Sequence, residues 1–109
     1  MSDYTPAEVA KLWQQGDVQL IDVRTPHEHE AGRIEGSTPI ELTELAARAG
    51  EIDRQRPVVL YCRSGGRSAM ATAALSQAGY DAHNMAGGML DWQAAGLPME
   101  PSDGFVAEH

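Results

Sequence analysis

Between the apolar run Val58-Val59-Leu60-Tyr61 and an alanine-rich stretch beginning at Ser68 lies Cys62-Arg63-Ser64-Gly65-Gly66-Arg67, where the residue types converge on chemistry. Cys62 is the single cysteine. It has no resolving thiol in its own chain, and one chain can form neither a disulfide, a CxxC redox pair nor a multi-thiolate metal site. Two adjacent glycines let the backbone curl, so that the N–H groups of Ser64, Gly65, Gly66, Arg67 and Ser68 can point into one concavity at the start of a helix. Such a nest binds anions. A thiolate placed there is itself a stabilised anion, helped by the helix dipole and by the guanidinium groups of Arg63 and Arg67, so its pKa is expected below the free value of about 8.5. The plain alternative is a small buried apolar residue closing a hydrophobic strand. A core cysteine, however, gains nothing from a cationic, donor-rich loop. A thiol lowered in this way needs no histidine base, and none of His27, His29, His83 and His109 adjoins the loop in sequence.

Two other clusters invite a functional reading. Asp22 and Arg24 close an earlier apolar run and read as supporting residues. Arg24 and Glu28, four residues apart, are expected to form a structural ion pair on one turn. His27-Glu28-His29-Glu30 has alternating histidines that do not share a helix face, and no third ligand is evident nearby. The run reads as solvated acidic surface, and neither a metal nor an organic cofactor is expected. Trp13 and Trp92 suit core or rim packing, and Met85 and Met89 suit gap-filling in the core.

The elements that must position the loop follow from periodicity and punctuation. Thr5-Pro6-Ala7-Glu8 is a capping-box start for a helix that Gly16 stops. Residues 18–23 read as a mostly buried strand, and residues 25–37 as loop with a helical turn over 27–31. A second helix is expected over 41–49, with Leu42, Leu45, Ala46 and Ala49 on one face. Val58 to Tyr61 reads as a central strand buried on both faces, residues 68–78 as a helix capped by Gly79, and residues 80–85 as another strand. After a turn at Gly87-Gly88, a last helix runs over 89–95. Strands alternating with helices call for an α/β fold with a mainly parallel sheet.

The chain has 109 residues, of which 42% are apolar and 22% charged. These values fit one domain, expected over residues 1–100. Residues 101–109 form a polar tail with little to bury except Phe105 and Val106, and it is expected to be poorly ordered. Sixteen acidic against eight basic residues give a net charge of −8, which argues against nucleic acid or an anionic membrane as a partner. The start of the chain lacks a basic, apolar leader, and no stretch approaches a membrane span, so the expected compartment is the cytoplasm.

Cys62-Arg63-Ser64-Gly65-Gly66-Arg67-Ser68 resembles the active-site loop of the rhodanese superfamily. Asp22-Val23-Arg24, Glu28, Gly32, Ile34-Glu35-Gly36-Ser37 and the closing Gly87-Gly88, Trp92 and Ala95-Gly96-Leu97-Pro98 resemble its flanking motifs in order, from about Thr5 to Pro98. The sequence departs from the pattern at His29, where an aromatic is usual, and at Arg33, where histidine is common. The resemblance implies a three-layer domain, with helices on both faces of the sheet, and a sulfurtransferase. Cys62 would take sulfane sulfur from a small anion such as thiosulfate and hand it to cyanide or a thiol, possibly a protein thiol, through a persulfide. Arg63 and Arg67 would hold the donor's sulfonate, while the amides from Ser64 to Ser68 cradle the sulfur. Net acidity does not forbid a small dianion, because distant carboxylates are screened over a Debye length of about 8 Å. A cysteine phosphatase or arsenate reductase of related fold would use the same parts, but those relatives carry one residue more between cysteine and arginine. A non-catalytic binding module is a third reading, and such modules commonly lack the cysteine or the loop arginines.

Overall fold

A computed structural model describes residues 3–109. Residues 1 and 2 of the expected domain lie outside the described residues. In chain order the elements are β1 (Asp3–Tyr4), α1 (Pro6–Gln14), β2 (Gln19–Asp22), α2 (Pro26–Ala31) and β3 (Thr38–Pro39). There follow a 3₁₀ turn (Leu42–Glu44), α3 (Leu45–Arg48), a second 3₁₀ turn (Ala49–Glu51), β4 (Val58–Tyr61), α4 (Gly66–Gln77), β5 (Ala82–Met85) and α5 (Gly88–Ala94). The five strands form one sheet in the order β1-β5-β4-β2-β3, and every neighbouring pair is parallel.

β4 lies at the centre with all four residues fully buried, as its unbroken β-branched and aromatic run requires. Strand parity then sorts the core into two layers. Val58 and Leu60 pack with Ile21, Ile40, Leu45, Ala71 and Leu75 on the side of α3 and α4. Val59 and Tyr61 pack with Val9, Leu20, Met85, Met89 and Trp92 on the side of α1 and α5. Because Asp22 is in register with Tyr61, and Leu60 with Asn84, strands β2, β4 and β5 finish at one edge. The residues that follow are thus delivered together at the carboxyl end of a parallel sheet, where open α/β folds bind ligands.

Several boundaries differ from the sequence reading for local reasons. α2 is a full helix, because Thr25-Pro26-His27-Glu28 repeats the capping box that Thr5-Pro6-Ala7-Glu8 makes at α1. The stretch 41–49 is two 3₁₀ turns around one α-helical turn, and none of the three pieces has a side-chain cap. β5 starts at Ala82 because the Tyr80 N–H closes the end of α4 by donating to Leu75 O at 3.0 Å. β1 and β3 are two-residue edge strands, too short for periodicity to reveal.

The end of the chain returns to the body. Arg33 and Glu100 exchange N–H···O bonds of 3.0 and 2.8 Å, and the Phe105 N–H donates to Ala31 O at 3.0 Å. Val106 packs on the α1 and α5 side. The assignment of buried tail residues changes here: Phe105 leaves its ring 58% exposed, whereas Ala107 is 4% exposed. Among the described residues no helix is long and apolar enough to cross a membrane.

The Tyr61 hydroxyl accepts from the Ile34 N–H at 3.2 Å and bonds Ser37 Oγ at 2.7 Å, stitching the 34–37 segment to the central strand. Tyr61→Phe leaves the buried Ile34 N–H without an acceptor and should lower unfolding free energy by about 1–3 kcal/mol in a denaturant titration.

Candidate active site

Cys62 is the first residue beyond β4 and is 1% exposed. Its Sγ accepts from the Gly65 N–H at 3.1 Å and the Ser68 N–H at 3.4 Å, with Ser68 Oγ also 3.4 Å away. Gly65 makes this curl possible with φ of 106°, a left-handed conformation that a side chain would strain. It is also the N-cap of α4, so the helix opens two residues earlier than expected and aims its first turn at the sulfur. Burial pushes the thiol up. The Ser68 hydroxyl, followed by the N–H groups of Ser68, Gly65 and Ser64, outweighs burial and holds Cys62 below the ordinary thiol range.

The loop is held from behind by α5. The Met89 N–H donates to Cys62 O at 2.9 Å and the Leu90 N–H to Arg63 O at 3.0 Å. These are donors of the first helical turn that have no partner within their own helix, and here they take carbonyls that would otherwise compete for the concavity. The approach is close: a Cβ on Gly88 would lie 2.5 Å from Cys62 O and 2.6 Å from Arg63 O. The sequence reading placed only a turn at Gly87-Gly88. It also missed Asn84, which is 5% exposed and sets Oδ1 2.6 Å from Ser68 Oγ. The available signal was parity, since Asn84 is in register with Leu60, two residues before Cys62.

The two loop arginines stand differently. Arg67 reaches back to α2 and grips Glu28 through two bonds, Nη1 to Oε1 and Nη2 to Oε2, each 2.8 Å. Glu28 is fully buried. Burial pushes its carboxyl up, but the Arg67 guanidinium, the Thr25 N–H and the Thr25 hydroxyl together bring it down to about 2. Arg63 keeps a buried Nε that makes no hydrogen bond.

The expected Arg24–Glu28 pair does not form. Arg24 precedes α2 and turns to Asp22, with Nε to Oδ1 at 2.9 Å and Nη2 to Oδ2 at 2.8 Å, and it also donates to Gly32 O at 2.7 Å. Asp22 additionally faces His29 Nδ1 at 2.8 Å. Burial raises Asp22, and the bonds from His29 and Arg24 bring it below the usual carboxylate range. Asp22 and Arg24 thus form a buried platform under the sheet edge, and the acidic run 27–30 is split, with Glu28 turned to Arg67 and His29 to Asp22. Among the described residues no group of three or more His, Cys, Asp or Glu side chains could hold a metal ion. A groove of about 420 Å³ lies on the α1 and α5 side, lined by Trp13, Ile34, Trp92, Leu97 and Met99, and reaches no residue of the Cys62 loop.

Two outcomes follow from these charges. Glu28 has a folded pKa below its ordinary 4.5. Its stabilisation is therefore full above the unfolded value and is lost as pH falls from about 4.5 toward 2, by on the order of 3 kcal/mol. Unfolding free energies measured across that window should show this slope, and Glu28→Gln should flatten it. Iodoacetamide should alkylate Cys62 with a pH midpoint below the free-thiol value of about 8.5. A midpoint at that value would show that the amides do not stabilise the thiolate.

The profile of the rhodanese-like domain matches residues 5–95. A protein named sulfurtransferase from Allochromatium vinosum is 42% identical over 95 residues, covering 86% of this chain and 89% of that protein. An HTH-type transcriptional regulator of Mycobacterium tuberculosis is 39% identical over 99 residues; the match takes in 88% of this chain but only 43% of the regulator's length. Among solved structures, a rhodanese-related protein from Thermoplasma volcanium superposes with a TM-score of 0.85 at 28% identity, covering 91% of this chain and 97% of that one. A protein from Rhodopseudomonas palustris described as of unknown function and a possible tyrosine phosphatase gives 0.79 at 28% identity, covering 92% and 85%. Fold, loop and profile agree, and the chain belongs to the rhodanese-like domain family.

Proposed function

We propose that this chain is a sulfurtransferase in which Cys62 carries the sulfur. The observation that carries the reading is the Sγ itself, held by the Gly65 and Ser68 amides and the Ser68 side chain, with no histidine base among its bonded neighbours. A thiolate so placed attacks the outer sulfur of a donor such as thiosulfate. An S–S bond forms to Sγ, the donor's own S–S bond breaks, and its electron pair departs with sulfite. Cyanide or a thiol, including a protein thiol, then attacks the terminal sulfur and returns the thiolate. Amides that stabilise one sulfur anion suit the other. The names of relatives from Allochromatium vinosum and, at 31% identity over 90 residues, a thiosulfate sulfurtransferase from Pseudoalteromonas translucida support the same chemistry.

The arginines divide the work of binding. Arg63 has an uncommitted donor in Nε and is assigned to the donor's sulfonate. Arg67 gives one N–H from each terminal nitrogen to Glu28, which fixes its guanidinium, and its charge acts on the sulfur through space. Loop length argues against a phosphatase: four residues lie between Cys62 and Arg67, one fewer than in the phosphatase relatives of this fold. A binding module would have no use for a thiol held by amides at Cys62 or for the unpartnered Nε of Arg63.

Incubation with thiosulfate should add the mass of one sulfur to the intact chain, and Cys62→Ser should gain none; an adduct on that variant would move the carrier elsewhere. Thiocyanate should form from thiosulfate and cyanide, while an aryl phosphate offered in parallel should not turn over. Turnover of the phosphate alone would favour the phosphatase. Arg63→Ala should raise KM for thiosulfate about tenfold or more, the loss of one charged hydrogen bond, with a smaller change in kcat. Arg67→Ala should instead cost about 3–5 kcal/mol of stability, because it strands a buried carboxylate.

A further inference from the structure

The Ser68 hydroxyl has one proton and three acceptors within reach: Asn84 Oδ1 at 2.6 Å, Gly65 O at 3.3 Å and Cys62 Sγ at 3.4 Å. Ser68 is fully buried and Asn84 is 5% exposed, so bulk water does not supply the missing partner. Asn84 Oδ1 and Cys62 Sγ compete for that proton: given to the sulfur it supports a thiolate, and given to the shorter Asn84 contact it leaves Oγ presenting a lone pair to the sulfur. The second arrangement suits a thiol, which has an S–H to donate, and leaves a thiolate one donor short. The Asn84 amide keeps its shape when its ends are exchanged. A half-turn about χ2 brings an Nδ2–H to Ser68 Oγ and frees the hydroxyl proton for Sγ.

The geometry points to Asn84 as a positioning residue: by turning one end or the other of its amide toward Ser68, it sets whether that hydroxyl accepts from Cys62 or donates to it, and so matches the bond to a protonated or an anionic sulfur. The anionic states are the thiolate and the persulfide. The pair moves no net proton, since Cys62 gives its proton to solvent and the hydroxyl and amide only rotate. The purpose of this relay rests on the sulfurtransferase reading; its test does not.

Arg67 on α4, paired to Glu28 of α2, interacts electrostatically with Cys62, and the other charged groups on the surrounding elements are Arg63 in the loop, Asp22 at the end of β2 with its partner Arg24, and Asp91 of α5 beside Gly87. Rotation of an amide changes none of them. In ¹H–¹⁵N spectra of the wild-type protein, the Asn84 Nδ2 proton pair should shift with the midpoint at which Cys62 becomes alkylatable, and Ser68→Ala should abolish that shift. An Asn84 pair that stays fixed while Cys62 ionises overturns the relay, and this measurement needs no Asn84 variant to fold. Asn84→Asp presents only acceptors, so it should raise the alkylation midpoint by about one unit, making alkylation about tenfold slower at a pH below the midpoint. Most of that change should vanish when Ser68→Ala is added. An equal change in both backgrounds would assign it to the new charge and overturn the relay. A coupled titration in a chain that takes up no sulfur upholds the relay and removes only the proposed reaction.

Discussion

A sulfur anion sealed from water is tolerable only if fixed dipoles replace the water it has lost. That requirement organises the whole carboxyl edge of the sheet. Cys62 is 1% exposed, yet its Sγ is met by amides from the loop and the first turn of α4. Peptide units can face a common centre with their N–H groups only if their carbonyls are accommodated elsewhere. The first turn of α5 accommodates the carbonyl of Arg63, whose peptide unit carries the Ser64 N–H, and that of Cys62 before it, using the very donors that a helix start leaves unpaired. β4, α4 and α5 are therefore parts of one electrostatic device, with the hydrophobic layers above and below the sheet keeping them in register.

Charge is handled by the same economy. The chain carries a net −8, and two of its carboxylates, Asp22 and Glu28, are wholly buried near the site. Each is matched by its own guanidinium, Arg24 for Asp22 and Arg67 for Glu28. Neither carboxylate is thus left to oppose an anion at the loop. The Glu28–Arg67 pair also fastens α2 to α4 across the top of the sheet. A buried ion pair is weak as a source of net stability, but it fixes position well, because leaving either partner alone is so costly.

Much of this was legible in the chain itself. The unbroken apolar run of β4 announced a central strand, and the glycines and arginines after Cys62 announced a nest, because backbone conformation and local charge are written in adjacent residues. Thr25-Pro26-His27-Glu28 carried the signature already read at Thr5, and could have been read as a helix start. Other features were not local. That Arg67 would choose Glu28, while Arg24 chose Asp22, depends on which elements the fold brings together 39 residues apart in one case and on a two-residue bend in the other. The role of Gly88 depends on a neighbour 26 positions earlier, since its missing side chain leaves room for the Cys62 carbonyl. Asn84 shares a sheet face with Cys62, but only the register of β4 with β5 makes that parity meaningful.

The grip of α5 on the Cys62 and Arg63 carbonyls has a consequence for how such a domain can diversify. Because consecutive peptide units are clasped by consecutive rungs of one helix, the bowl cannot be widened by an insertion between them without unseating a rung. Any enlargement has to fall downstream, between Ser64 and the start of α4, where the chain is held by the sulfur it surrounds and by the first turn of α4 rather than by α5. Bowl size and helix placement are inherited together on one side of the cysteine and are free of each other on the other.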